Sequence, residues 1–143
     1  MSIEEKIREI AEAKFEGFSF VFEDWNTADS VVGSVDLPAI LLILPVGGSL
    51  EFHNGRVRDE ENTAIAFVDK VDRDADGADN ERVYTAMKRV AGQFIDELNK
   101  SGFFEPLDGP LPYYTIYERM AANVTGLFVD VRLKEKVGNC LEK

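Results

Sequence analysis

The chain contains one cysteine, one histidine and one tryptophan among 143 residues. A lone Cys140 excludes an internal disulfide framework and fits a reducing compartment, so a cytoplasmic location is expected. Its place near the C-terminus reads as a spectator thiol. His53 stands alone beside a predicted turn, which leaves no Ser-His-Asp or Cys-His pair to assemble. Zinc-ligand spacing is missing, as are both glycine-rich phosphate loops; the "VGGSLEF" stretch leads into a strand and not a helix. The longest apolar run, Leu37 to Val46, is broken by Pro38 and Pro45 and falls short of the ~20 residues that cross a bilayer. The opening MSIEEKIREI lacks the basic and apolar regions of a signal peptide, so no export is expected. Cations are scarce as well. Sixteen Lys and Arg against 27 Asp and Glu give a net charge of −11, which argues against nucleic acid as a direct partner because phosphate binding needs clustered Lys and Arg. Solubility is the simplest purpose of that charge.

What is present describes one domain over residues 1–143. A hydrophobic share of 45% and a charged share of 30% are those of a globular chain long enough to bury a core. Ser2 and Glu5 form an S-x-x-E capping box, and Ile3, Ile7, Ile10 and Ala11 share one face, predicting a helix over 3–14. "FSFVFED" alternates, with Phe18, Phe20 and Phe22 on one face of a strand. "WNTADSVVGSVD" reads as a loop. "PAILLILPV" is continuously apolar, as in a strand buried on both faces. Asn54-Gly55 signals a two-residue hairpin turn pairing Leu50–His53 with Arg56–Arg58, and "NTAIAFVDKV" supplies a further strand. From Asp79 the period changes: Val83, Met87, Val90, Ala91, Phe94, Ile95 and Leu98 form the stripe of a long helix, with Asp79 or Asn80 as N-cap and Gly102 just past its end. "FFEPL", "YYTIYERM" and "VTGLFVDVRLK" are rich in β-formers. Strands in runs predict an α+β fold, a mainly antiparallel twisted sheet with a short N-terminal helix and one long amphipathic helix packed on one face.

Three stretches invite a functional reading. Asp72, Asp74 and Asp76, followed by Gly77, match the start of a calcium loop, and calcium at this loop is the one cofactor the sequence suggests. Position 12 of that loop is Val83, so the bidentate carboxylate is missing, and a turn followed by a helix cap competes. Tyr113, Tyr114 and Tyr117 lie within five residues, directly after Pro110 and Pro112, and are interface candidates, Tyr113 and Tyr117 on one face of a strand and Tyr114 on the other. Trp25 is a second aromatic anchor. Chance carboxylate pairs such as Glu23 and Asp24 say little about acid–base catalysis, and no catalytic residue is assigned.

The short first helix, the proline-bounded strand, the hairpin, the long helix ending "FIDELNKSG" and the closing "NVTGLFVDVRL" together resemble, in layout and length, the tail-terminator or tail-completion proteins of phages and prophages. That resemblance implies a non-enzymatic α+β subunit, in the host cytoplasm or the assembled particle. It would self-associate into a ring, commonly hexameric, on the tail tube and meet other tail or connector proteins. An acidic lumen would let DNA pass without specific binding, and the hairpin around Asn54 and Gly55 and the Asp72–Asp79 loop would be contact arms. The rival readings are a small protein-binding adaptor using Tyr113–Tyr117 and an enzyme needing only carboxylates; no membrane partner is expected.

Overall fold

The computed structural model describes residues 1–120 and 122–136; Cys140 lies outside them. Helix α1 spans Ile3–Lys14, and its capping box is formed as the sequence predicts: Ser2 Oγ accepts from the Glu5 N–H at 3.1 Å while the Glu5 carboxylate accepts from the Ser2 N–H at 2.7 Å. Strand β1 (Ser19–Glu23) follows. The stretch expected to be a loop is instead helix α2, Trp25–Val31, continued by a 3-10 turn over Val32–Ser34. Asp24 caps it through the Thr27 N–H at 2.7 Å, and Ala28 and Val32 are fully buried beneath it. Tertiary burial, not propensity, holds this short helix in place.

The remaining strands are β2 (Ala39–Ile43), β3 (Gly47–His53), β4 (Arg56–Lys70), β5 (Tyr113–Arg119) and β6 (Val124–Lys134), with helix α3 (Gly77–Lys100) between β4 and β5. The two strands expected on either side of residue 60 are one 15-residue strand, β4. Its first half pairs with β3 and its second half with β2, both antiparallel, while β6 runs along its other edge from Glu60 to Lys70. The sheet order is β1-β2-β4-β6-β5, with β3 beside β4 beyond the end of β2. Among the described residues only β1 and β2 pair in parallel. "FFEPL" forms no strand; it contributes a single bridge, Phe104 to Glu135.

Alternation along the strands builds two cores. Ile40, Leu42, Ile65, Phe67, Leu127 and Val129 meet α1 and α3, where Ile7, Met87, Phe94 and Leu98 are buried. Complete burial of a side chain such as Phe94 contributes about 1.5–3 kcal/mol. Leu41, Ile43, Ala64, Ala66 and Val68 face the other way and meet Ala28 and Val32. β2, with all five residues buried, is the doubly covered strand its composition predicts. The fold is therefore α+β, with α1 and the long α3 on one sheet face and the short α2 on the other. The cap of α3 is Asp76, three residues before Asp79, because the Asp76 carboxylate accepts from the Asp79 N–H at 2.9 Å and the Asp79 carboxylate accepts from the Asp76 N–H at 3.2 Å. Its C-terminal end is as expected: Gly102 takes φ +79°, just past Ser101. No helix among the described residues is long and apolar enough to cross a membrane.

Candidate interaction site

The hairpin of β3 and β4 runs past the helices as an arm. Asn54 and Gly55 form its turn with φ of 52° and 76°, the double positive φ that an Asn-Gly turn accommodates. All seven β3 residues are exposed. Leu50 is 54% and Phe52 73% accessible, and neither exposure is explained by the fold itself. Register sets Leu50 opposite Asp59 and Phe52 opposite Val57. Both therefore share the face of β4 that carries Ile65 and Phe67, the face toward α1 and α3.

At the root of the arm lies a buried charge cluster. Lys6 Nζ sits 3.1 Å from Glu135 Oε2, and the second Glu135 oxygen accepts from the Asp59 N–H at 3.2 Å. Burial, then the Glu135 charge, pushes the Asp59 carboxyl above its ordinary range; burial, then Asp59, does the same to Glu61.

On the opposite face, α2 and the residues around it cover Ala66, Val68 and Val124 but leave the Glu60–Asn62 end of β4 and the facing Asp130–Lys134 end of β6 open. The result is a groove of about 690 Å3. Its floor is three cross-strand pairs, Glu60 with Lys134, Asn62 with Arg132 and Ala64 with Asp130. Trp25, Leu44 and Val46 make one apolar wall, and Pro106, Leu107 and Leu111 line the groove as well. A groove of this size suits a peptide segment or a few side chains.

The aromatic residues singled out in the sequence divide between these faces. Trp25 and Tyr114 come together on the α2 face, one on each side of a shared ring: Trp25 meets Phe128 edge-on at 5.0 Å, and Tyr114 stacks on Phe128 at 5.1 Å. Tyr113 and Tyr117 lie on the other face against Tyr84 of α3, at 6.4 and 5.8 Å. The Tyr84 hydroxyl donates to the Tyr113 hydroxyl at 3.0 Å, and Lys88 Nζ lies 4.7 Å from the Tyr84 ring centre. That hydrogen bond, with Lys88 beside it, holds the Tyr113 hydroxyl below the ordinary phenol range; the same bond, and then burial, raises Tyr84 against the pull of Lys88. Tyr113, Tyr114 and Tyr117 each remain nearly half exposed.

Asp72, Asp74 and Asp76 sit at the far end of β4, roughly 45 Å from the hairpin turn at the usual rise per residue. Their carboxylates are not gathered into a group of three metal-ligating side chains; no such group exists among the described residues. The Asp72 carbonyl closes a turn with the Ala75 N–H at 3.1 Å, and the Asp76 carboxylate is engaged by α3. His53 is exposed next to the hairpin turn.

The groove was not legible in the sequence. Leu44 and Val46 read as the end of a buried run, and no pattern in the sequence singles out Leu111. Only the three-dimensional course of residues 105–112 sets them around one depression. Compared with protein-family models and with curated proteins, the sequence matches none.

Proposed function

We propose that the chain is a structural, non-catalytic subunit of the tail-terminator type, assembling into a ring at the end of a phage or prophage tail tube. The observation that supports this reading is the arm. A seven-residue strand projecting beyond the helices, with Leu50 54% and Phe52 73% accessible, is the kind of apolar feature that subunit contacts cover. A net charge of −11 would suit the wall of a channel through which DNA slides without adhering. Calcium at the Asp72–Asp76 loop would enter this reading only as a regulator of assembly.

The adaptor reading keeps one specific observation in its favour: Tyr113, Tyr114 and Tyr117 are all nearly half exposed on an edge strand, and tyrosine is enriched at interfaces. Light scattering after size exclusion, with and without calcium, separates the two. The ring reading expects a mass several times that of the chain. A monomer that still captures a partner through the tyrosine strand would favour the adaptor.

A further inference from the structure

We propose that Tyr113 is a covalent modification site, whose phenol oxygen, set beside Tyr84 and Lys88, is the nucleophile with which this chain takes an electrophilic acyl group. This goes beyond the ring reading and does not depend on it.

The three tyrosines of β5 are close to equal in exposure, at 44% for Tyr113, 49% for Tyr114 and 46% for Tyr117. Exposure alone would make them react alike. Their surroundings differ. Tyr114 stacks on Phe128 on the α2 face, and Tyr117 packs on the Tyr84 ring. Tyr113 has its hydroxyl oxygen engaged: it accepts from the Tyr84 hydroxyl at 3.0 Å, and Lys88 Nζ lies 5.4 Å from its ring centre. Across the sheet its partner is Val129, which adds no charge.

Each of the two neighbours has one role. The groups that act on Lys88 are the phenols of Tyr84 and Tyr113, and they hold it above its ordinary range. It therefore stays an ammonium ion and does not compete as a nucleophile. The Tyr84 bond first, and Lys88 second, favour the ionised form of the Tyr113 hydroxyl. A phenol attacks through that form, so a larger ionised fraction at neutral pH speeds the reaction. In the step, the Tyr113 oxygen bonds to the acyl carbon and the bond from that carbon to its leaving group breaks. The phenolic proton passes through solvent to the leaving group.

The test uses N-acetylimidazole, a neutral acyl donor that leaves as imidazole, on the full-length protein at neutral pH. Fragment-ion mass spectrometry of the tryptic peptide 101–119, which holds all three tyrosines, follows each site separately. Release by hydroxylamine tells acetyl-tyrosine from acetyl-lysine. Tyr113 should be acetylated about threefold or more faster than Tyr114 and Tyr117. Lys88→Met, at an exposed position, should bring Tyr113 down to the Tyr114 rate, and Lys88→Arg should restore the lead. Equal rates at the three tyrosines of the unaltered protein overturn the proposal. So does a Tyr113 lead that survives Lys88→Met undiminished, because local access would then account for it.

Discussion

Lys6 and Glu135 stand 129 residues apart in sequence and 3.1 Å apart in space, with only 5% and 1% of their surfaces accessible. The pair pins the first helix to the end of the last strand. Lys6 Nζ also lies 5.6 Å from the ring centre of Phe104, so its desolvated charge is compensated from two sides. Removing one partner is the costly change. Lys6→Met should lower the unfolding free energy by about 3–5 kcal/mol, since it strands a buried carboxylate. Lys6→Met with Glu135→Met should recover much of that, because neither charge is then left unpaired. Urea unfolding followed by circular dichroism measures both.

Asp59 and Glu61 should make the arm root respond to pH in the sense opposite to a capping carboxylate. Both carboxyls titrate above their ordinary values, through burial first and neighbouring acids second. An acid whose folded pKa is raised binds its proton more tightly in the folded state. Its contribution to stability therefore grows as pH falls through that raised value, and levels off below the unfolded value. Glu61→Gln should raise thermal stability at neutral pH and flatten this part of the profile. A melting-temperature series from neutral pH down to the ordinary carboxylate range checks the direction.

Asp76 titrates the other way, held low by its bond from the Asp79 N–H, so the cap is intact above the ordinary carboxylate range and weakens as pH falls below it. Asp76→Ala should lower the melting temperature at neutral pH, because it leaves the Asp79 N–H without its capping carboxylate. If capping is the whole role of Asp76, calcium should leave that loss unchanged. Thermal melts in chelator and in millimolar calcium compare the two directly.

Two glycines should behave differently when given a methyl group. A Cβ at Gly126 would run into the Phe67 carbonyl in the middle of the β4–β6 ladder; one at Gly48 would meet the Glu60 carbonyl in the arm. Neither backbone can yield without shifting a strand. Gly126→Ala should destabilise the whole fold by about 1–3 kcal/mol or more. Gly48→Ala should disturb the arm and leave global unfolding little changed, and on the ring reading it should lower the assembled mass. Denaturation and light scattering on the same samples separate the two effects.

The readable parts of the sequence were those where local chemistry and tertiary structure agree. Asn54-Gly55 could be placed because its backbone demands positive φ twice, and α3 because its apolar stripe persists from Val83 to Leu98, more than four turns. Helix α2 was hidden because Asn26, Thr27, Asp29 and Ser30 are modest helix formers, and the burial of Ala28 and Val32 that holds it is a property of the finished core. The unity of β4 was hidden by "RDEEN", a polar run in which strand formers are absent. It is kept extended by β3 on one side and the end of β6 on the other. Asn80 was read as a cap, yet it is buried and joins three elements: its amide donates to Glu118 at 2.7 Å and its carbonyl accepts from the Thr125 hydroxyl at 2.7 Å. Spacing along one chain carries no trace of such a junction.

Because the arm is the forward half of the same strand that forms the middle of the sheet, it has no hinge residue at which to swing free. A pull on the arm along β4 would be shared at once among the eleven register pairs from Glu60–Lys134 to Lys70–Val124. Loaded lengthwise, those hydrogen bonds must all give way together, whereas a strand peeled from its end yields one bond at a time. The protein thus holds its most exposed element by its strongest seam, and tension at the arm becomes shear in the core.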